Sequence, residues 1–262
     1  MRECKLREVG FAEAHAPQAQ VELRAREAAA GRRPFRAALE APGISVIAEC
    51  KQASPSAGVI MPDYDPVKLA RAYERGGARA LSVLTDRCHF QGSLQDLVDA
   101  RSAVRLPVLR KDFLLTPYHV YQSAAAGADA VLLIVSFLRD WELAELYKTA
   151  RGLGLDALVE VHNEVEVARA LAVGAEIIGI NNRNLDKLTT DVGNSLRLAR
   201  LIPDDRVMVA ESGIRTADDV RRLADAGFDA VLVGHSLLKQ PDQEAAVREL
   251  LRTDAAPASE KA

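Results

Sequence analysis

The sequence predicts an α/β fold, a closed (β/α)8 barrel with an N-terminal helical extension. Eight short and almost continuously apolar runs alternate with amphipathic segments, as expected for parallel strands that are buried on both faces. A unit of helix end, glycine and strand recurs, as in RGGARALSVL and DAGFDAVLVG, at a spacing of about 50 residues. The alternative fold, a doubly wound sheet, favours a GxGxxG turn after the first strand, but KQASPSAG stands there instead.

The apolar runs define the predicted strands. They cover residues 44–49, 80–85, 107–112, 130–135, 157–162, 177–182, 207–212 and 230–235. The segments between them, such as DPVKLARAYERGG and TADDVRRLADAG, begin with Asp, Thr or Asn and end with Gly. Those residues are the usual N-cap and C-cap residues, so each segment is predicted to be a helix.

Three regions follow from this pattern. Residues 1–43 are rich in Arg, Ala and Glu and form the helical extension, with a helix over Val21–Ala30 that GRRPF interrupts. Residues 44–252 form the catalytic barrel. Residues 253–262, with the small and polar sequence TDAAPASEKA, form a flexible tail.

Composition excludes several classes of protein. The chain has 262 residues, is 48% hydrophobic and carries a net charge of −3, which gives no sign of a nucleic-acid or membrane surface. No window has the roughly 18 apolar residues of a membrane span, and MRECKLREVG lacks the apolar centre of a secretion signal.

The cysteines and histidines predict neither disulfides nor a metal site. Cys4, Cys50 and Cys88 are odd in number and scattered, which indicates reduced thiols and a cytoplasmic protein. Adjacent Cys88 and His89 are a poor chelating pair, and no further ligands cluster near them in the sequence.

Charged residues recur at the carboxyl ends of the predicted strands, where the active sites of such barrels lie. Inward-facing residues of alternate strands share a layer, so the charges should meet at the barrel mouth. The plainer alternative is a set of solvated strand ends or a ring of ion pairs. Because a buried cluster of charges is a poor source of stability, we favour a site for acid–base chemistry. The residues at these ends are Glu49, Lys51, Lys111, Glu160, Asn181, Glu211 and Ser212.

The last two strands end in loops that are suited to an anion. ESGIRT and VGHS contain Gly213 and Gly234, which let backbone N–H groups approach a phosphate closely. An ordinary turn is the alternative for either glycine alone. Ser54, in the first loop, could add a hydroxyl, and Arg183, in GINNRNL, could pair with a carboxylate or a phosphate. Phe90 could cover an aromatic substrate or simply cap the core.

These segments together resemble the indole-3-glycerol phosphate synthase family of tryptophan biosynthesis. The resemblance rests on IAECKQASPSAG, HFQGSLQDL, PVLRKDFLLTPYHVYQSAAAGADAVLLI, LVEVHNEVEVARAL, IIGINNRNL, VAESGI and VLVGHSLL, in the family's order over about residues 44–240. It implies a (β/α)8 lyase that converts 1-(2-carboxyphenylamino)-1-deoxyribulose 5-phosphate to indole-3-glycerol phosphate, carbon dioxide and water. It also implies no cofactor and no metal.

The resemblance assigns residues position by position. The family's functional residues match Glu49, Lys51, Lys111, Glu160, Asn181 and Ser212. Its ligand-contact positions match Ser54, Phe90, Arg183, Leu185, Gly213, Leu232, Gly234 and His235. The predicted substrate-binding residues also include Pro55, Glu211 and Ser236. Lys111 is the expected general acid and Glu160 a proton-transfer group, while Lys51 holds the substrate carboxylate or delivers a later proton.

The chain departs from the family in three places. Cys50 replaces an aliphatic or basic residue and should face outward, while His235 stands where Glu or Ser is common. The N-terminal segment matches poorly, which predicts a short or displaced first helix.

Two other functions remain open at this point. One is a phosphosugar aldolase or isomerase that uses a neutral lysine as Schiff-base nucleophile. The other is a barrel that binds a phosphosugar without turnover. In every case the expected partner is a small molecule, and the chain is expected to be a monomer or a weak homodimer.

Overall fold

Ten strands lie in the described part of this computed structural model, which comprises residues 1–55, 57–183 and 189–252. Eight of them, all parallel, close into a barrel, and the other two form a small antiparallel hairpin. The strands are β1 (Ser45–Cys50), β2 (Ala53–Ser54), β3 (Gly58–Val59), β4 (Ala80–Leu84), β5 (Val108–Lys111), β6 (Ala130–Ile134), β7 (Asp156–Val161), β8 (Ile177–Asn181), β9 (Val207–Glu211) and β10 (Ala230–Val233).

Thirteen α-helices and one 3-10 turn, Ala28–Gly31, occupy the same described ranges. They are α1 (Arg2–His15), α2 (Gln18–Glu27), α3 (Phe35–Leu39), α4 (Pro66–Gly76), α5 (Arg87–Phe90), α6 (Leu94–Ala103), α7 (Pro117–Ala125), α8 (Asp140–Gly152), α9 (Glu164–Ala172), α10 (Gly193–Ala199), α11 (Ala217–Asp225), α12 (His235–Leu238) and α13 (Gln243–Leu250).

The predicted (β/α)8 barrel is confirmed. The spatial order is β1-β10-β9-β8-β7-β6-β5-β4, and β1 pairs with both β10 and β4, which closes the ring. Each predicted run overlaps one barrel strand. The hairpin β2–β3 was not predicted, because two-residue strands leave no periodic signal. The predicted tail, residues 253–262, lies outside the described residues.

Side chains alternate between the barrel interior and the layer beneath the helices. On β1, Ile47 packs inside with Leu109 and Leu158. Val46 and Cys50 lie in the outer core. Cys50 therefore faces outward as expected, and burial raises the pKa of its thiol. The same alternation turns Glu49 toward the interior at the strand's carboxyl end.

Helix α3 closes the amino-terminal end of the barrel. Phe35 and Leu39 are fully buried and pack against the first residues of several strands, including Ala80, Ile177 and Ala230. Burying a side chain of this size contributes about 1.5–3 kcal/mol. With this end filled by apolar side chains, polar chemistry is confined to the opposite, carboxyl-terminal end.

Helices α4 and α11 begin at the capping residues that the sequence predicted. The Asp65 carboxylate accepts hydrogen bonds from the backbone N–H groups of Val67 and Lys68 at the start of α4. Thr216 and Asp219 form a reciprocal capping box at the start of α11. These bonds satisfy backbone donors that have no partner within the helix.

The first helix is not short, so that part of the expectation is wrong. Helix α1 has 14 residues, and its Lys5 is only 1% exposed. The Lys5 ammonium lies 2.7 Å from a carboxylate oxygen of Asp86, beyond β4, and 2.7 Å from one of Asp112, beyond β5. Sequence similarity could not reveal this anchor, because it depends on one lysine that meets two distant acids.

The expectation of three reduced cysteines is wrong for two of them. Cys4 on α1 and Cys88 on α5 form a disulfide that joins residues 84 positions apart. Spacing along the chain did not reveal the pair, because only the docking of α1 brings the two residues together. Every helix in the described ranges is too short or too polar to span a lipid bilayer.

Candidate active site

The carboxyl-terminal rim of the barrel begins with a charged pair on β1. Glu49 is 5% exposed and accepts a hydrogen bond from the Lys51 ammonium, two residues further along the chain. Residues two apart on an extended chain share a face, so both charges point to the barrel mouth. Strand β1 thus supplies an acid and an amine to one place.

Lys111, at the end of β5, lies between two acids from other strands. Its ammonium nitrogen is 2.8 Å from Glu211 Oε2 on β9 and 3.6 Å from Glu160 Oε2 on β7. The Lys111 side chain is 16% exposed, whereas those of Glu160 and Glu211 are 5% and 1% exposed. Three strands therefore bring a lysine and two carboxylates together at the mouth, as the layer argument predicted.

Burial and mutual attraction set the charges of this group. Burial disfavours the charged Lys111, but Glu211, Glu160 and Glu49 outweigh it and raise the pKa of Lys111. Burial also favours neutral Glu211, and with the nearby acids it raises the pKa of Glu211 to about 7 against the pull of Lys111. Lys51 and Lys111 overcome burial and lower the pKa of Glu49. The rim therefore combines a charged amine with one acid poised near neutrality.

Two glycines make room for the rim acids. A β-carbon at Gly179, on β8, would lie 2.3 Å from Glu211 Oε1, and one at Gly234 would lie 2.3 Å from Glu49 Oε1. A β-carbon does not lie that close to a non-bonded atom in real proteins. Each of these acids therefore occupies the space of a missing side chain on the neighbouring strand.

The loop after β9 is held by an asparagine that the sequence analysis did not single out. Asn182 is 3% exposed, and its side-chain N–H donates to the Ser212 carbonyl at 3.1 Å. Its Oδ1 accepts from the Ser195 hydroxyl at 2.8 Å. Neighbouring Asn181 has its Oδ1 bonded to the backbone N–H of Arg183. Both asparagines thus fix backbone at the rim.

The predicted anion loops lie side by side. Ser212 and Gly213 both have positive φ angles, 64° and 81°, which curl the backbone into a tight turn. The Ser236 hydroxyl donates to the Ile214 carbonyl at 3.0 Å and so joins the loop after β9 to the loop after β10. Successive backbone N–H groups in such a turn form a concavity for an anion.

The surroundings of these loops are electropositive. Burial lowers the pKa of His235, and four cations lower it further. Those cations are Lys239, Lys51, Arg183 and Arg215. An anion such as a phosphate ester would be attracted to this part of the rim.

Three phenylalanines form an aromatic wall on the other side of the mouth. The ring centres of Phe90 and Phe113 lie 6.4 Å apart, and those of Phe113 and Phe137 lie 5.3 Å apart. Phe90 was predicted from the sequence, whereas Phe113 and Phe137 were not. Phe113 follows Lys111 by two residues, and that spacing could have placed it at the mouth.

A histidine that was also missed lies beside Glu160. His162 Nε2 is 3.4 Å from Glu160 Oε1, and His162 Nδ1 is 3.0 Å from Glu166 Oε2 on α9. The spacing of Glu160 and His162, two residues apart at the end of β7, is the same signal that paired Glu49 with Lys51.

The remaining predicted residues are less central. Ser54 lies in the hairpin, opposite Gly58, and Pro55 is exposed in its turn. Leu232, 5% exposed, pairs with Glu211 between β10 and β9. Leu185 lies outside the described residues.

A separate cavity of about 790 Å³ lies beside α1 and contains none of the rim acids. The buried cation in its wall is already paired, since the Arg110 guanidinium donates to Asp112 at 3.0 Å and to the His119 carbonyl at 3.2 Å. We therefore place the chemistry at the rim. One group in the described residues has donors close enough for a metal, Cys4, Glu8 and Cys88, but the disulfide occupies both sulfurs.

A (β/α)8 barrel with buried acids and amines at its carboxyl-terminal rim, beside an anion-binding turn, is typical of enzymes that act on phosphorylated small molecules. The family model described as indole-3-glycerol phosphate synthase matches residues 2–250, and this chain belongs to that family.

Relatives support the assignment. The indole-3-glycerol phosphate synthase of Nocardioides sp. (strain ATCC BAA-499 / JS614) is 54% identical over 216 residues, 82% of each chain. That of Mycobacterium avium (strain 104) is 47% identical over 254 residues, 95% of this chain and 93% of the relative. Among solved structures, a thiamine phosphate pyrophosphorylase from Pyrococcus furiosus has a TM-score of 0.61 at 17% identity, covering 80% of this chain and 95% of its own. That likeness concerns the fold alone.

Proposed function

We propose that this chain is an indole-3-glycerol phosphate synthase, a carboxy-lyase of tryptophan biosynthesis. It closes the ring of 1-(2-carboxyphenylamino)-1-deoxyribulose 5-phosphate and releases carbon dioxide and water. One observation carries the proposal beyond family membership. Lys111 lies between Glu160 and Glu211, in a rim that also holds the Glu49–Lys51 pair and an electropositive turn.

Ring closure needs an acid at the substrate carbonyl. The ring carbon that bears the carboxylate attacks the C2 carbonyl, and the carbonyl oxygen takes a proton from Lys111. Because its neighbours raise its pKa, Lys111 is charged before reaction and gives its proton only to a strongly basic oxygen, such as the developing alkoxide.

Loss of carbon dioxide follows. The bond from the ring to the carboxylate breaks, and its electron pair restores the aromatic ring. Lys51, held by Glu49, orients the carboxylate until it leaves. The aromatic wall of Phe90, Phe113 and Phe137 surrounds the ring with apolar surface, which favours conversion of an anion to neutral carbon dioxide.

Dehydration completes the indole. The new hydroxyl leaves as water after protonation, and a proton leaves the carbon next to nitrogen. Glu160 carries the proton from that carbon to the leaving hydroxyl. Its carboxylate lies beside the Lys111 ammonium and faces the mouth. Backbone N–H groups of Ser212, Gly213, Gly234 and His235 hold the phosphate, and Arg183 and Ser236 support them. Fixing both ends of a flexible substrate lowers the entropic barrier to ring closure.

The Schiff-base alternative fits less well. A lysine nucleophile must be neutral, yet its surroundings raise the pKa of Lys111, and Lys51 is bonded to Glu49. A binding module without turnover would have no use for an acid poised near neutrality beside an ammonium.

A fluorescence assay for indole formation tests the proposal. The purified chain should convert the anthranilate-derived substrate without added metal or cofactor, and borohydride should trap no adduct with a ketose phosphate. Absence of indole product from the folded protein would refute the synthase proposal, and a borohydride adduct on Lys51 or Lys111 would favour the aldolase class.

Several finer points are part of the same proposal. The chain acts in the cytoplasm on a small molecule, as a monomer or a weak homodimer, without nucleic acid. Residues 44–252 form the catalytic unit and residues 1–43 its helical extension.

A further inference from the structure

The proposed reaction consumes a proton. Ring closure takes one proton from Lys111, dehydration takes a second to form water, and the indole carbon returns one. The substrate carboxylate is negative, whereas carbon dioxide and water are neutral. The charges of substrate and products therefore balance only when one proton is taken up in each turnover. The enzyme must therefore recover a proton from solvent before it can act again.

The donor and acceptor groups of the rim are poorly placed to recover it directly. Glu160 and Glu211 have side chains that are 5% and 1% exposed, and Lys111, at 16%, opens only onto the mouth, which a bound substrate would cover. A path from solvent to Glu160 through protein groups would meet this need.

Such a path begins at Glu160 itself. The imidazole of His162 lies between two carboxylates, with Nε2 3.4 Å from Glu160 Oε1 and Nδ1 3.0 Å from Glu166 Oε2. A neutral imidazole has one N–H, so it can donate to only one of the two acids. Both carboxylates, Glu160 and Glu166, can therefore accept a hydrogen bond from the ring only when the imidazole carries a second proton.

The contact with Glu160 is loose, and His162 Nε2 is buried without a hydrogen-bond partner. Catalytic hydrogen bonds are often long before substrate binds and tighten afterwards. The His162 and Glu166 side chains are 12% and 11% exposed, so this end of the row is more open than Glu160.

We propose that His162 returns a proton from solvent to Glu160 after each turnover, with Glu166 holding the imidazole in place. This inference rests on the proposed synthase function. The backbone N–H of His162 also donates to Glu166 at 2.8 Å, which fixes the ring relative to α9. The imidazolium gives one proton to the Glu160 carboxylate, Glu160 passes a proton to the Lys111 amine that ring closure left neutral, and solvent then protonates the imidazole again.

The charges around His162 suit this task. Burial disfavours the imidazolium, but the hydrogen bond to Glu166 and the charges of Glu160 and Glu211 outweigh it and raise the pKa of His162. Lys111, on β5, faces Glu160 from the other side. From α10, the neutral Asn194 side chain donates to the His162 carbonyl at 3.2 Å. The ring thus stays protonated to a higher pH than an ordinary histidine.

Rapid-mixing kinetics on His162→Gln and His162→Ala test the proposal, with the exposed His15→Gln as control. Each His162 variant should form one indole product per active site at the wild-type rate and then slow by about 10², a usual scale for positioned proton transfer. Added imidazole should restore the steady rate of His162→Ala, and the decline of wild-type kcat at rising pH should disappear in His162→Gln.

Several results would overturn the relay. A first turnover that slows as much as later ones would mean that His162 only orients Glu160. A steady rate equal to the wild type, or a slow rate that imidazole leaves unchanged in a folded variant, would also end the proposal. Failure of the wild-type protein itself to form indole would instead refute the synthase function on which the relay depends.

Discussion

Two buried lysines of this chain, Lys5 and Lys111, each meet acids from separate elements, yet their surroundings differ. Lys5 is 1% exposed and lies within 2.8 Å of three carboxylates, those of Glu8, Asp86 and Asp112. The Lys111 side chain is 16% exposed and has one acid at 2.8 Å and another at 3.6 Å.

The difference lies in unused hydrogen-bonding capacity. Around Lys5, Asp112 also accepts from the Thr85 hydroxyl at 2.6 Å and from Arg110 at 3.0 Å, so the cluster is closed. At the rim, Glu211 Oε1 is buried without a hydrogen-bond partner and His162 Nε2 has only a 3.4 Å contact with Glu160. Asp86 Oδ2 in the Lys5 cluster also lies outside any hydrogen bond, but it is 2.7 Å from the Lys5 ammonium. Groups left incomplete beside an opening are available to a substrate, whereas a completed cluster serves the fold.

The largest expected effect is on catalysis at the rim. Lys111→Ala should lower kcat by about 10³, within the range for loss of a positioned acid, in a variant that still unfolds cooperatively. Steady-state indole fluorescence measures the loss, and exposed Lys68→Ala is the matched control. Turnover near the wild-type rate would remove Lys111 from its assigned role.

Substitution in the Lys5 cluster should instead reduce the stability of the fold. Lys5→Met leaves Asp86 and Asp112 buried without their cation, which should lower the free energy of unfolding by about 3 kcal/mol. Urea denaturation compares this variant with Lys68→Met, which should change stability little. A Lys5 variant as stable as the wild type would show that the cluster is not an anchor for α1.

Acid should weaken the same cluster. The charges of Arg110 and Lys5 and several hydrogen bonds overcome burial and lower the pKa of Asp112 below its ordinary 3.8. Its contribution is therefore present above that value and is lost as the pH falls below it. We expect the stability gap between the wild type and Asp112→Asn, about 2 kcal/mol near neutrality, to narrow below pH 4 in urea titrations. A gap that stays constant down to pH 2 would contradict this assignment.

The smallest expected effect is on substrate affinity at the aromatic wall. Phe113→Ala removes the ring between Phe90 and Phe137 and should raise KM about 10-fold with a smaller change in kcat. Phe11→Ala, on the exposed face of α1, is the control. Equal KM values in the two variants would place the substrate ring elsewhere.

Much of the barrel could be predicted because its signals are local. Buried parallel strands are short apolar runs, and Asp65 and Thr216 mark helix starts by bonds within four residues. The rim could be predicted for a similar reason, since strand ends share one edge and four charged residues are the last or next-to-last residue of a strand. They are Glu49, Lys111, Glu160 and Glu211.

What could not be predicted depends on docking. Lys5 meets Asp112 only after α1 has packed on the barrel, and the Cys4–Cys88 disulfide has the same origin. The sequence of α1 alone predicts neither the ion pair nor the disulfide. His162 is a different case, because its spacing from Glu160 was available and was simply not used.

The missing side chains at Gly179 and Gly234 bear on protein engineering. The carboxylate of a neighbouring acid fills the space beside each glycine. The glycine and its acid must therefore be transferred together. Anyone transplanting this chemistry to another scaffold would have to carry Gly179 with Glu211 and Gly234 with Glu49. A library that randomises the acids but keeps a larger residue at the glycine positions would contain no variant in which the acids can take up their positions at the rim.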